Sequence, residues 1–187
     1  MAFVEGFPPV AREDARVLVL GSMPGAASLA AGRYYAHPRN AFWPIAGALF
    51  GFDPAAPYDE RLAGLTAAGV ALWDVLAACE RPGSLDAAID RATARTNDFV
   101  AFFAAHPRLS AVACNGGAAH ELFRRRVLPH LAAAGFGTKL VALPSTSPAH
   151  AGRSLAQKRA AWQRGLLPLL RGSARSQRPD SRSRSRP

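Results

Sequence analysis

Residues Val17 to Trp43 read VLVLGSMPGAASLAAGRYYAHPRNAFW. The first four are an apolar run short enough to be one buried strand. Gly21, Pro24, Gly25 and Gly32 then break regular structure and let backbone approach a ligand closely. A cluster of function-capable side chains follows: Tyr34, Tyr35, His37, Arg39, Asn40, Phe42 and Trp43. Aromatic rings beside a hydrogen-bonding amide, just past a strand end, suit a flat polar ligand such as a nucleobase. A proline-rich turn with core aromatics fits the same composition, so the rest of the chain has to decide.

Working outward, residues 1–15 read as an irregular lead-in and the site loop runs from Gly21 to about Arg39. Asn40 is placed to cap a helix through Phe42, Trp43, Ile45, Ala46 and Leu49, ended by Gly51. Tyr58–Ala68 reads as a second helix and Val70–Trp73 as a second apolar strand, closed by Asp74. Residues 78–95 read mostly as loop with a little helix. Asn97 is expected to cap a helix carrying Phe99, Phe102 and Phe103 that stops near Pro107. Ala111–Cys114 is a third strand, followed by Asn115-Gly116-Gly117 and a helix over Ala118–Val127. Lys139–Leu143 is the fourth strand, followed by PSTSPAH. Ser154 and Gln157 form a capping box for a last helix that fades at Pro168.

Strands and helices therefore alternate four times. That pattern predicts an α/β fold, a three-layer α/β/α sandwich around a mainly parallel four-stranded sheet. Ligands in such folds sit outside the carboxyl ends of the strands. Here those ends are GSMPG, WD, NGG and PSTSPAH, all polar or glycine-rich, and they converge on one cleft.

The chain has 187 residues, enough for one domain with a substantial core, expected over residues 1–171. No apolar run approaches the roughly 20 residues that span a bilayer. The N-terminal segment lacks a basic start and an apolar signal core, which predicts a cytoplasmic location. Only Cys79 and Cys114 are present, read as reduced buried thiols. The five histidines show no metal-binding spacing, so neither metal nor cofactor is expected. The formal charge is +10, and the segment from Arg171 to Pro187 holds six arginines against one aspartate. Such an excess points to a polyanionic partner, although an Arg- and Ala-rich compositional bias accounts for it equally. Residues 172–187 are low-complexity and expected to be disordered.

Six segments in order, GSMPG, YYAHPRNAFW, ALWDVL, CERPGSLD, CNGGAAHELF and LPSTSPAHA, resemble the uracil-DNA glycosylase superfamily. They are most similar to its hypoxanthine-DNA glycosylase branch and share YAHPRNAFW with the mismatch-specific enzymes. The resemblance spans about residues 16–165. It implies a uracil-DNA glycosylase-like sheet and monofunctional base-excision repair chemistry on a flipped deaminated base, hypoxanthine or uracil. The implied partner is single- or double-stranded DNA, met by a monomer in a bacterial cytoplasm at the nucleoid. Two departures stand out. Met23 occupies the position where most of the superfamily has a water-orienting Asp or Asn. Leu143 stands where the last motif usually begins with His or Asn. In the hypoxanthine branch the essential amide is the Asn of the HPxN segment, which is Asn40 here.

Hydrolysing an N-glycosidic bond puts positive charge on the sugar and negative charge on the departing base. Asn40 can hold a water through its amide oxygen, or it can simply cap a helix. Asp74 is the alternative for water activation, and His150 is a weaker candidate for assisting the leaving group. Tyr35 matches the stacking aromatic of the related segment, whereas Tyr34, Phe42 and Trp43 are read as core. Backbone amides of Ser22 and Met23 are placed to donate to a base carbonyl. Asn115 is placed to read a base edge or to cap the next helix. Ser145, Thr146 and Ser147, with Arg39, are candidates for DNA phosphate contacts. Two other readings stay open. One is a non-catalytic DNA- or nucleotide-binding relative, which the absent acid at position 23 fits. The other is a serine hydrolase using Ser22, His150 and Asp74, against which GSMPG departs from the G-x-S-x-G elbow.

Overall fold

The computed structural model describes residues 3–172. Four strands form the central parallel sheet: β2 (Val17–Gly21), β3 (Val70–Asp74), β6 (Ala111–Asn115) and β7 (Lys139–Leu143). Their spatial order is β3-β2-β6-β7, in register from Val17↔Val70 and Val17↔Ala111 to Ala111↔Lys139. These are the four expected strands, three of them longer by one residue. They are legible because a parallel strand buried on both faces is a continuous apolar run. β2 and β3 are buried along their whole length.

The chain leaves β2 toward one sheet edge and later returns to build β6 and β7 on its other side. The order therefore reverses between β2 and β6, and the carboxyl ends of those two strands open a crevice. The free edge of β3 is covered by the lead-in, where Val10 and Leu72 exchange backbone hydrogen bonds at 2.8 Å.

Two groups of helices cover the sheet. α2 (Phe42–Phe50), α3 (Tyr58–Ala67) and α7 (Leu155–Gly172) pack together, and so do α4 (Phe99–Ala105), α5 (Gly117–Arg126) and α6 (Leu128–Ala133). Aromatic residues fill the space between helices and sheet. Phe42, Trp43 and Trp162 lock α2 to α7, with Phe42 meeting the Trp162 ring edge-on at 5.8 Å between centroids. The capping box at the start of α7 is present: the Ser154 amide donates to Gln157 Oε1 at 2.9 Å, and the Gln157 amide to Ser154 Oγ at 3.2 Å. Cys79 and Cys114 are buried free thiols. Among the described residues no helix is long and apolar enough to cross a membrane.

Several expectations need correction. The lead-in and the stretch after β3 are not merely loop. β1 (Phe3–Glu5), β4 (Leu76–Glu80) and β5 (Arg95–Thr96) form a small antiparallel sheet in the order β1-β4-β5. β1 and β5, at three and two residues, are too short to show a period, and β4 continues the apolar run of β3. A short helix, α1 (Ala26–Ala31), interrupts the site loop. The cap of α4 is Asp98, whose Oδ1 accepts the Ala101 amide at 3.0 Å, and not Asn97. The last helix continues through Pro168 to Gly172. Burial of Leu166 and Leu170 on either side, and donation from Arg16 Nη1 to the Leu170 carbonyl at 2.7 Å, outweigh the one backbone bond that proline forfeits. The expected tail lies outside the described residues, save that Gly172 belongs to the helix.

Candidate active site

At the reversal point lies a cleft of about 470 Å³. Its floor is Gly21, Ser22 and Met23 from the end of β2, with Asp74 from β3 and Asn115 from β6; its walls come from the Tyr34–Asn40 loop, the Ser84–Asp86 turn and residues 145–149. All four strand ends singled out in the sequence thus meet in one place. Of the predicted site residues, Ser22, Met23, Tyr35, Arg39, Asn40, Asp74, Asn115, Ser145, Thr146 and Ser147 line this cleft. His150 is exposed and outside the lining.

Asp74 is the strongly perturbed carboxyl of the cleft. It is buried, and its Oδ2 has no hydrogen-bond partner. Burial raises its carboxyl from an ordinary 3.8 to about 7; the Arg81 guanidinium pulls the other way and Asp86 reinforces the rise. Gly21 makes room for it. A Cβ on Gly21 would collide with Asp74 Oδ1 and stand 3.2 Å from the Tyr35 hydroxyl. The backbone of Asp74 is held from outside the cleft by Asn97, whose Nδ2 donates to the Asp74 carbonyl at 2.8 Å. That bond explains why Asn97 is not the helix cap, and it marks a positioning residue that the sequence signal concealed.

Tyr35 is the one non-glycine residue among those described with a left-handed backbone, φ 54°. Such strain costs on the order of 1–3 kcal/mol and persists where surrounding structure fixes it. Here the ring stacks on Phe42, centroids 4.1 Å apart and planes at 27°. The hydroxyl is buried without a partner, beside Asp74. Burial first, and then the Asp74 charge, push this phenol above its ordinary value. Tyr34, Phe42 and Trp43 are core, as expected: Tyr34 donates through its hydroxyl to the Pro8 carbonyl at 3.0 Å, and its own carbonyl accepts Trp43 Nε1 at 3.1 Å.

Asn40 is half-buried on the cleft wall, and its Oδ1 accepts the Phe42 amide at 3.0 Å. It thus sits just ahead of α2, whose N-cap is Ala41, and it pins the first turn. The bond uses one of the two acceptor lone pairs of Oδ1 and neither amide hydrogen, so capping and a second contact are compatible.

Asn115 and Thr146 are more committed than expected. Asn115 Nδ2 donates to Thr146 Oγ1 at 2.8 Å, and the Thr146 amide donates back to Asn115 Oδ1 at 2.8 Å. The Thr146 carbonyl accepts the Ala41 amide at 3.0 Å. Thr146 is therefore a buried clasp joining β6, the loop after β7 and the start of α2, and its hydroxyl is not exposed for phosphate. The next helix is capped by Gly116, without help from Asn115. Gly116 has φ 102°, and a Cβ there would press on Ser145 at 3.0 Å. Ser145 and Ser147 remain half-buried at the rim, with Lys158 beneath them donating to the Ser147 carbonyl at 3.4 Å.

The Ser22 hydroxyl donates to Asp86 Oδ1, tying the glycine loop to the turn after β4. With that bond made and His150 outside the lining, Ser22, His150 and Asp74 do not assemble into a hydrolase triad. Sequence reasoning missed Asp86, Asn97, Arg81 and Lys158. Arg81 lies in the CERPGSLD segment and is almost wholly buried, its Nη2 donating to the Pro24 carbonyl. A buried arginine in a loop-like stretch leaves no periodic trace.

Residues 8–171 match the family model described as the uracil DNA glycosylase superfamily. The chain is 36% identical over 159 residues to the hypoxanthine DNA glycosylase of Methanosarcina barkeri, covering 84% of this chain and 94% of that protein. It is 35% identical over 146 residues to the hypoxanthine DNA glycosylase of Methanosarcina acetivorans, covering 78% and 87%. Its fold is similar to the solution NMR structure of a candidate uracil DNA glycosylase from Methanosarcina acetivorans. The TM-score is 0.69 and the identity 32%, with 87% of this chain and 98% of that one covered.

Proposed function

The chain belongs to the uracil DNA glycosylase superfamily and is a DNA glycosylase, and on that footing we propose that its cleft removes hypoxanthine from DNA. The observation that carries this reading is the gathering of Asn40, Tyr35 and Asp74 in one cleft at the switch point of the sheet. Names borne by the two relatives supply the base. The enzyme works as a monomer on double- or single-stranded DNA, in the cytoplasm at the nucleoid.

A base inside a duplex is out of reach of such a cleft, so the nucleotide must flip out. Phe42 covers one face of the Tyr35 ring; the opposite face takes the flipped base, a contact worth roughly 1–3 kcal/mol. Asn40 Oδ1, oriented by the Phe42 amide, accepts a hydrogen bond from the attacking water through its second lone pair. The C1′–N bond breaks, its electron pair departs with the base, and positive charge grows on the sugar. Asp86, and Asp74 once its proton has left, favour that charge at short range. Water oxygen then bonds to C1′, and its proton ends on the released base. An amide suffices as water holder because an oxocarbenium-like centre needs only a weak nucleophile.

No lysine lines the cleft among the described residues, which supports hydrolysis without a covalent Schiff base. The test is a panel of oligonucleotides carrying one inosine, uracil or xanthine, incubated in chelator and scored for abasic sites. Inosine should be processed fastest. A protein that binds the inosine duplex yet releases no base is the non-catalytic relative instead, and a borohydride-trapped adduct overturns the monofunctional mechanism.

A further inference from the structure

A second, smaller pocket of about 290 Å³ backs onto the cleft across the Tyr34–Asn40 loop. Arg33 and Arg61 line it. The Arg33 guanidinium lies over the Tyr58 ring at 5.7 Å, and that of Arg61 lies over Trp43 at 4.7 Å and over Tyr58 at 5.5 Å. Tyr58 is thus shared by two cations, and its hydroxyl is fixed by the Tyr34 amide at 3.0 Å. No aspartate or glutamate lines this pocket. Asp59 and Glu60, next in sequence, are exposed in the first turn of α3 and make no ion pair with either arginine among the described residues. Arg61 Nε is buried without a partner.

Two neighbouring guanidiniums without a carboxylate repel each other, and a buried N–H without an acceptor carries its full desolvation cost. One anion seated between them removes both penalties. The aromatic rings hold the forks in place beforehand, so little side-chain entropy is lost on binding. The cleft differs, with Asp74 and Asp86 in its lining against one arginine, Arg39. A strand that delivers a base into that cleft gains from further cations for its phosphates outside it. The loop between the two pockets is one residue layer: Tyr34, Tyr35, His37 and Asn40 line both.

We infer that this pocket binds a phosphodiester of the DNA strand next to the flipped nucleotide, with Arg33 and Arg61 on its non-bridging oxygens. The inference rests on the cleft being the excision site. It couples phosphate grip to chemistry through one short loop, because the residues that feel the phosphate on one side present Asn40 and Tyr35 on the other.

The test measures binding without excision. A duplex carrying a tetrahydrofuran abasic analogue is titrated over a range of salt with wild type, Arg33→Gln, and Arg33→Gln combined with Arg61→Gln. Each phosphate contact contributes about 0.9 to the slope of log affinity against log salt. Arg33→Gln should lower the slope by part of that amount and raise Kd by about tenfold, the worth of a charge-assisted hydrogen bond; the double variant should lose the whole of about 0.9 and raise Kd further. The control removes the same charge elsewhere, with Arg124→Gln and Arg125→Gln on α5, and should leave the slope nearly unchanged. Arg33 is exposed, so the single variant carries the test even if loss of Arg61 packing unfolds the double variant. Equal slopes for wild type and Arg33→Gln overturn the inference, as does an equal loss in the control. Wild-type protein that binds this duplex but frees no hypoxanthine defeats the functional reading instead, which keeps the two failures apart.

Discussion

At the scale of single residues, the site is built from side chains with conflicting demands. Asp74 is buried, which favours the protonated carboxyl, yet only its charged form favours a positive sugar. Its folded carboxyl keeps a proton up to about pH 7, whereas an unfolded chain releases it near 3.8. The stability this proton brings is fully present below the unfolded value and is lost as pH rises through about 7. Asp74→Asn should therefore raise the melting temperature at pH 8 and bring much less gain at pH 4. A gain that stays constant across that range assigns the effect to packing. Tyr35 poses a second conflict, since its ring is stacked while its hydroxyl is buried with no partner. Tyr35→Phe removes only the hydroxyl and should keep both the fold and the affinity for an inosine duplex. Tyr35→Ala should weaken capture of the flipped base by tenfold or more, the loss of a stack worth roughly 1–3 kcal/mol. Equal losses in single-turnover half-saturation would assign the role to the hydroxyl. Much of this was legible in sequence: the aromatic-amide cluster pointed at a ligand, and the glycine at position 21 marked a close approach. What stayed hidden was the use of each polar atom. Asn115 looks like a base reader and also clasps Thr146, with one amide hydrogen and one lone pair; Asn97 looks like a cap and holds the Asp74 carbonyl.

At the scale of elements, the loop after β7 is the part that depends on one clasp. Asn115 and Thr146 exchange two hydrogen bonds, and the Thr146 carbonyl receives the start of α2. Thr146→Val keeps the shape and removes the acceptor. It leaves a donor of Asn115 without its partner, at a cost of about 1–3 kcal/mol. Denaturant titration should show that loss, and single-turnover excision should fall modestly, because one of the three hydrogen bonds joining β6, α2 and the serine loop is gone while the two made by the Thr146 backbone remain. Unchanged stability would mean that the clasp contributes nothing. The four parallel strands were readable because burial on both faces makes them apolar throughout, with glycine or proline at their ends. The small antiparallel sheet was not, because β4 continues the apolar run of β3 past Asp74 and its partners have three and two residues. Pro168 misled for a related reason: propensity ends a helix there, whereas the packing of α7 against α2 and the sheet keeps it going.

At the scale of the whole molecule, charge and cleft are arranged apart. The chain carries +10, yet the cleft holds two carboxylates against one arginine, Arg39, so much of the DNA affinity has to come from outside it. Residues 173–187 contribute five arginines and one aspartate. Truncation after Gly172 should flatten the salt dependence of binding to undamaged duplex, in proportion to the phosphates lost. Single-turnover excision at saturating DNA should hardly change; abolished excision would place part of that segment in the working domain. The central claim, that an amide in this cleft supports hydrolysis of deoxyinosine, is tested most directly by single-turnover excision from an inosine duplex with wild type and Asn40→Ala. Loss of one such group typically costs about 10²–10³ in rate. The account predicts a loss of that size with unchanged duplex affinity and a stability loss of only about 1 kcal/mol, from the bond to the Phe42 amide. Excision by Asn40→Ala at close to the wild-type rate would contradict it and leave Asp74 as the group that activates water.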